Sequence, residues 1–157
     1  TDLGSHLLDT LHFWINDITT YDFNLTKAHK KENLSFDHII INNRAEENKI
    51  SIELEMSLLS WKNTFTCDIF AEKGSAHINS LCKWGPSNFI HRSRIFPSGI
   101  PEEIKKTLVQ KDPTWDLEYK YFINSCGNNE IETLTKDIWI NKVLLSLSEK
   151  ANVKNII

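Results

Sequence analysis

Apolar residues repeat with helical spacing at both ends of the chain and with strand spacing between them. Near the start, apolar residues recur three or four positions apart and predict a helix over residues 5–16. These are Leu7, Leu8, Leu11, Trp14 and Ile15. Asp2 stands just before this stretch as a possible cap, so we expect the helix to begin near Gly4.

The middle of the chain is rich in β-forming residues. The clearest strand is predicted over residues 50–58, where apolar side chains alternate with Ser and Glu without a break. Further strands are predicted over residues 18–25, 36–42, 64–70, 76–81 and 89–96. The polar stretches 42–48 and 72–75 are expected to be hairpin turns, the second because Gly74 can adopt a positive φ.

The last third is predicted to be helical after a loop at residues 98–101. Asp112 followed by Pro113 is a favourable helix start, a cap and then the first helical position. Two apolar stripes follow, and they predict two helices that cover one face of the sheet. The stripes are Trp115, Tyr119, Phe122 and Ile123, ending at Gly127, and then Leu134, Ile138, Val143, Leu144 and Leu147.

These elements predict an α+β fold. An open, mostly antiparallel sheet of about six strands would carry the N-terminal helix and the C-terminal helices on one face. Its other face would present Glu53 and Glu55 to solvent, a ligand or another subunit. With 157 residues and 40% apolar content, we expect a single domain over residues 1–157.

Composition narrows the functional classes. A net charge of -3 and a pI of about 6.0 leave no basic surface for a phosphate backbone, which argues against nucleic acid. The apolar runs are too short for a membrane helix, so no membrane partner is expected. Three widely spaced cysteines, Cys67, Cys82 and Cys126, predict buried reduced thiols and a cytoplasmic location. The histidine spacing fits no metal site.

The candidate chemistry lies at the first helix. Asp2 just outside the helix and His6 just inside it are expected to face one cleft, with Asp9 three residues further on. The positive end of the helix dipole disfavours a protonated imidazole, which suits His6 to accept a hydroxyl proton. Asp2 could accept hydrogen bonds from sugar hydroxyls. The alternative is structural: Asp2 is a cap and His6 is a surface residue.

The segment Asp2-Leu3-Gly4-Ser5-His6-Leu7-Leu8-Asp9 resembles the Asp-x-Gly-x-His-x-x-Asp segment of the glucose-fructose oxidoreductase and inositol dehydrogenase family. Residues 70–76, Phe-Ala-Glu-Lys-Gly-Ser-Ala, are similar to that family's strand-turn-strand. The resemblance covers nearly the whole chain. It implies a C-terminal domain like that of dihydrodipicolinate reductase.

The same resemblance implies roles for individual residues. His6 would be the catalytic acid/base and Asp2 the carboxylate that orients substrate. Asp9 would be a weaker substrate-binding candidate or only a brace for the helix. NAD or NADP would be bound mainly by an N-terminal Rossmann domain. The chain starts at Thr1 without a methionine, so we expect a truncated C-terminal half that is inactive alone.

Residues 83–87 and 112–115 resemble segments found in a branch of this family that is associated with bacterial surface-polysaccharide sugars. Lys83, Arg92 and Arg94 could hold a nucleotide-sugar diphosphate or an acidic sugar, and Trp84 could stack on a sugar or base. The alternatives are solvated surface or interface charges for the basic residues and core positions for Trp84 and Trp115.

Two functions are therefore expected from the sequence. The first is the substrate-binding domain of an NAD(P)-dependent dehydrogenase of sugars or nucleotide sugars, forming a homo-oligomer through its open sheet face. The second is a non-catalytic binding or assembly module that uses the same face. The sugar, the hydroxyl oxidised, the reaction direction and the choice between NAD and NADP are not determined by this sequence.

Overall fold

The computed structural model describes residues 2–30, 36–44, 50–81, 85–128 and 134–154, with the backbone alone for residues 2, 128 and 152–154. The chain divides into two compact units, the first formed by Thr1–Leu59 with Glu132–Ile157 and the second by Ser60–Ile131. The single domain expected from chain length stays a prediction.

The first unit contains helices α1 (Asp2–Trp14) and α3 (Thr135–Lys154), a short 3-10 helix (Ile18–Thr20) and strands β1 (Phe23–His29), β2 (His38–Asn43) and β3 (Glu53–Ser57). The strands form an antiparallel sheet in the order β1-β2-β3.

One face of this sheet is apolar. Cross-strand partners share a face, and Leu25, Ile41 and Leu54 stand opposite one another in one row. A β-bulge after Leu25 shifts the β1 register, so that Ala28 faces inward again beside Ile39. The other face carries polar side chains, including His38 and Glu55, with His38 Nδ1 3.8 Å from Glu55 Oε1.

Helices α1 and α3 cover the apolar face and complete the core of the first unit. Their buried side chains pack with those of the sheet in one cluster. Its members are Leu8, Leu11, Ile18, Tyr21, Phe23, Leu25, Ile41, Ile52, Ile140, Leu147 and Ala151. Asn43 closes the β2–β3 connection, because its side chain accepts from the Ile52 N–H at 2.7 Å and donates to the Ile50 carbonyl at 2.8 Å.

Three boundaries in the first unit differ from the sequence prediction. The first helix begins at Asp2 rather than near Gly4, so the backbone of Asp2 is helical. Residues 18–20 form a 3-10 helix, and the strand starts only at Phe23. The strand predicted over residues 50–58 covers only Glu53–Ser57 in the structure. It lies at the edge of the sheet, because β1 pairs with the other side of β2.

The second unit contains strands β4 (Thr66–Ala71), β5 (Gly74–Asn79), β6 (Ser87–Ser93) and β7 (Glu102–Leu108), followed by helix α2 (Thr114–Asn128). The strands pair antiparallel in sequence order. The predicted tight turn at Gly74 is confirmed: its φ is 157°, and Ala71 pairs with Gly74 across the β4–β5 hairpin. The Asp112 cap is also confirmed, because its carboxylate accepts from the Thr114 N–H at 3.0 Å.

The faces of this second sheet differ in chemistry. One face carries polar rows that include Asp68, His77, Ser75, Arg92 and Glu103. The opposite face is largely apolar, and several of its large side chains are exposed. They are Ile69, Phe89, Ile104 and Leu108.

The α+β class is confirmed, but the arrangement differs from the one expected. The described strands form two antiparallel sheets rather than one. Strand β7 was not predicted from the sequence. Four of its residues are charged, so apolar and polar side chains do not alternate along it; they are Glu102, Glu103, Lys105 and Lys106. Helix α2 does not pack extensively on the described strands of its own unit, so the prediction that it covers a sheet face is wrong for the second sheet.

The α2 stripe is exposed along its length. Trp115 is 76% exposed, and Tyr119, Phe122 and Ile123 are also exposed, so Trp115 is not a core residue. Among the described residues, no helix has the length and apolar character that would span a bilayer.

Candidate functional site

His6 and Asp9 lie on the outward face of α1. The helix buries Leu8 and Leu11 against the core, and its opposite side carries His6 and Asp9 one turn apart. The Thr10 hydroxyl donates to the backbone carbonyl of His6 at 2.8 Å. The predicted placement of His6 on the first helix is therefore confirmed, and its side chain is accessible to a ligand.

A shallow depression of about 280 Å³ opens beside His6 between α1 and α3. Helix α1 contributes Ser5, His6 and Asp9 to its lining. Helix α3 adds Lys136, Asp137, Ile140 and Asn141. Hydroxyl, imidazole, carboxylate, ammonium and amide groups thus converge on one small surface, where they can donate to and accept from a polyhydroxylated ligand.

An ion pair fixes one edge of this depression. The Lys136 Nζ lies 2.8 Å from Asp9 Oδ1, and both side chains are about half exposed. The same two residues also line a neighbouring depression of about 290 Å³ beside His12 and Phe13. Because Asp9 binds a lysine of another helix, the expectation that it braces α1 has direct structural support.

The glycine at the start of α1 permits close packing. A Cβ on Gly4 would lie 3.0 Å from Leu144 Cδ2 and 3.2 Å from Met56 Sδ, tighter than ordinary van der Waals contact. A hydrogen at this position lets α1 approach α3 and β3 closely. This close approach positions the helix turn that carries His6.

Asp2 lies one helical turn before His6. Because the backbone of Asp2 belongs to α1, residues 2 and 6 are four apart on the same side of the helix. The prediction that Asp2 caps the helix from outside it is therefore corrected. The side chain of Asp2 lies outside the part of the chain that the structure describes, so its role toward substrate stays a prediction.

The other predicted contact residues lie in the second unit. Arg92 on β6 is paired with Glu103 on β7, with Nε 2.8 Å from Oε2. Arg94 donates to the Glu72 carbonyl at 3.4 Å, and its guanidinium lies 4.3 Å from the Phe96 ring centroid. Both have structural partners, which supports the surface-charge interpretation. Lys83 and Trp84 lie outside the described residues.

A polar network in the second unit was not anticipated from the sequence. The ring of His77 contacts Asp68 at 2.6 Å and Ser75 at 2.8 Å. Ser75 and His77 are two residues apart on one strand, a spacing that places both side chains on one face. The position of Asp68 opposite His77 follows from the hairpin register and could have been found only by pairing the strands around Gly74.

The described cysteines differ in environment. Burial, followed by the negative charge of Asp68, raises the pKa of the Cys67 thiol above its ordinary value. Cys126 is exposed, which corrects the prediction that it is buried. Cys82 lies outside the described residues. Within the described part of the chain, no group of three or more His, Cys, Asp or Glu side chains could hold a metal ion.

The described residues thus define an α+β protein with two antiparallel sheets and a polar depression beside its first helix. No family model, curated protein or solved structure matches the chain.

Proposed function

We propose that this chain is the C-terminal substrate-binding domain of a cytoplasmic NAD(P)-dependent oxidoreductase. It would act on a sugar or nucleotide sugar in surface-polysaccharide biosynthesis. The observation that carries the proposal is the position of His6. The histidine of the segment that resembles the oxidoreductase family is accessible, and it lines a depression with hydrogen-bonding groups from two helices.

The residues beside His6 suit a sugar. Ser5 and Asn141 offer a hydroxyl and an amide, and Asp137 offers a carboxylate, so neighbouring hydroxyls of one ring could be bound together. Asp9 is held by Lys136, and in this proposal it contributes its acceptor oxygens at the edge of the ring.

His6 is assigned the acid/base role. A nicotinamide held by another domain would supply the hydride acceptor, and His6 would accept the proton of the sugar hydroxyl. The five glycines of this chain, at positions 4, 74, 85, 99 and 127, form no glycine-rich phosphate loop, so its residues do not fit a dinucleotide. The cofactor is therefore assigned to a separate Rossmann domain.

The acid/base role is tested by a His6→Ala substitution in the complete gene product. Turnover with NAD(P) and a panel of sugars and nucleotide sugars should fall about 10²–10⁴-fold, because general acid/base catalysis typically contributes that much. His29→Ala, which removes an exposed histidine from β1, serves as the matched control and should keep the wild-type rate.

Calorimetric titration of the complete gene product with NAD(H) and NADP(H) tests the class of enzyme independently. Cofactor binding that is strengthened by one sugar would support the dehydrogenase and identify its substrate class. A folded protein that binds neither cofactor, or a His6→Ala variant with unchanged turnover, would contradict the proposal.

A second function, a non-catalytic assembly module, is favoured by the apolar face of the second sheet. Ile69, Phe89 and Ile104 are exposed on that face, where a monomer gains nothing from apolar side chains. A second copy of the chain is the occupant we propose, and homo-oligomerisation through this face is compatible with either function.

A further inference from the structure

The polar face of the second sheet aligns a serine, a histidine and an aspartate in one hydrogen-bonded chain. Ser75 Oγ lies 2.8 Å from His77 Nε2, and His77 Nδ1 lies 2.6 Å from Asp68 Oδ1. Asp68 and His77 are direct cross-strand partners in the β4–β5 hairpin. The backbone register therefore holds all three side chains in place, without any contribution from a loop.

With an ionised Asp68 and a neutral imidazole, both contacts are compatible with one tautomer of His77. An ionised Asp68 can only accept, so the Nδ1 that contacts it must donate. In a neutral imidazole, Nε2 then has the lone pair and accepts the hydroxyl proton of Ser75. This is the arrangement in which a histidine acts as general base toward a serine and a carboxylate orients the histidine.

The surroundings of Ser75 add a cation and an apolar surface. Arg92 is the direct cross-strand partner of Ser75 on β6, and its Nε donates to Glu103, which anchors the guanidinium on this face. Phe70 is the partner of Ser75 on β4, and its ring packs edge-on against His77 with centroids 5.5 Å apart. The His77 side chain is 18% exposed, whereas Phe70 is 77% exposed.

We propose that Ser75, His77 and Asp68 form a nucleophilic site for carboxylic esters with small apolar acyl groups. Ser75 Oγ attacks the ester carbonyl carbon while its proton passes to His77 Nε2. The Arg92 guanidinium stabilises the negative charge that develops on the carbonyl oxygen. The carbon–oxygen bond to the alcohol then breaks, and the alcohol leaves with the proton from His77, so that an acyl group remains on Ser75.

Water completes the cycle. His77 takes a proton from a water molecule as its oxygen attacks the acyl carbonyl, and the proton returns to Ser75 Oγ as the carboxylic acid leaves. Phe70 provides the surface for the acyl group. This site uses none of the residues assigned to the acid/base step of the dehydrogenase, so the two proposals can fail separately.

The test combines a fluorophosphonate label with hydrolysis of p-nitrophenyl acetate by the full chain. We expect the label on Ser75, located by peptide mass spectrometry, and loss of that label in Ser75→Ala. Ester hydrolysis should fall about 100-fold or more in His77→Gln and in Asp68→Asn, because the proton acceptor or its orientation is lost. Asp68 is more than half exposed, so its substitution leaves folding least affected.

The same sheet offers a matched control. His91 and Ser93 are also two residues apart on one strand, β6, but their register places them in rows adjacent to those of His77 and Ser75 and therefore on the opposite face. His91→Gln and Ser93→Ala should leave labelling and hydrolysis unchanged. Labelling of other residues, no labelling at all, or wild-type labelling of Ser75 in folded His77→Gln would overturn the proposal.

Discussion

Gly74 occupies a backbone position that other residues fill only with strain. Its φ of 157° belongs to the region that favours glycine, and an added Cβ would overlap the carbonyl oxygen of Arg92 on the neighbouring strand. The β4–β5 turn and the β5–β6 pairing therefore both depend on the missing side chain.

Replacing Gly74 with alanine should destabilise the protein by about 2–4 kcal/mol, which combines backbone strain with the overlap against a backbone atom that cannot move aside. Urea unfolding measures the change. Gly85→Ala is the control, because Gly85 also has a positive φ, 136°, but a Cβ there would meet no heavy atom of the described residues within 4 Å. Equal losses in both variants would contradict the proposed overlap.

The surroundings of Cys67 lower the reactivity of its thiol. Its pKa is raised first by burial and then by Asp68, so at a given pH a smaller fraction is thiolate than for an ordinary cysteine. The thiolate is the form that reacts, and the raised pKa therefore shifts reaction of Cys67 to higher pH.

We expect exposed Cys126 to react with iodoacetamide at least about tenfold faster than Cys67 at pH 8. Peptide mapping by mass spectrometry distinguishes the two sites. Asp68→Asn removes the negative charge that contributes to the shift, so it should lower the pKa of Cys67 and speed its alkylation. Faster reaction of Cys67 than of Cys126 in the native protein would refute this assignment.

At the scale of elements, two nearby leucines of α3 are expected to contribute differently to the free energy of unfolding. Leu147 is 7% exposed and belongs to the core formed with α1 and the first sheet, whereas Leu145 is 65% exposed. The side of α3 that faces the core is the side that contacts α1 and β1.

Leu147→Ala should cost about 2–5 kcal/mol of unfolding free energy, because it removes buried apolar surface and leaves a cavity. Leu145→Ala on the same helix should change it by less than about 0.5 kcal/mol. Thermal or urea unfolding of both variants gives the comparison, and similar losses would show that the assigned core face of α3 is wrong.

Element prediction from local pattern succeeded where periodicity was clear. The alternation over residues 52–56, the Asp112 cap and the turn at Gly74 are local features, and all three are present. Strand β7 was missed because charged residues occupy most of its positions. Strand β7 pairs with β6, and an ion pair between Arg92 and Glu103 joins the two strands. A pattern of a few neighbouring residues does not include both partners.

At the scale of the whole molecule, the apolar face of the second sheet is the feature that a monomer does not explain. Ile69 on β4 and Ile104 on β7 lie in one cross-strand row with Ala76 and His91. Burial of such a row against a second copy would gain about 25 cal/mol for each Å² of apolar surface removed from water.

We therefore expect the complete gene product to be oligomeric, and Ile104→Glu to shift it toward the monomer in analytical ultracentrifugation. The added charge would have to be buried at the interface, which costs free energy. Thr107→Glu adds the same charge to the opposite face of β7 and should leave the mass unchanged. A wild-type protein that is monomeric at micromolar concentration would exclude this association.

Local sequence patterns were sufficient to predict the α+β class, most strands, both C-terminal helices and the position of His6 on the first helix. These features follow from side-chain periodicity and capping, which act over a few neighbouring residues. The assembled fold was needed to show that the strands form two sheets, that α2 leaves its apolar stripe exposed, and that Asp9 binds Lys136. It also placed Asp68 beside His77. Each of these depends on strand register or helix packing between distant residues, where many pairings have similar local energies and only the complete core selects one.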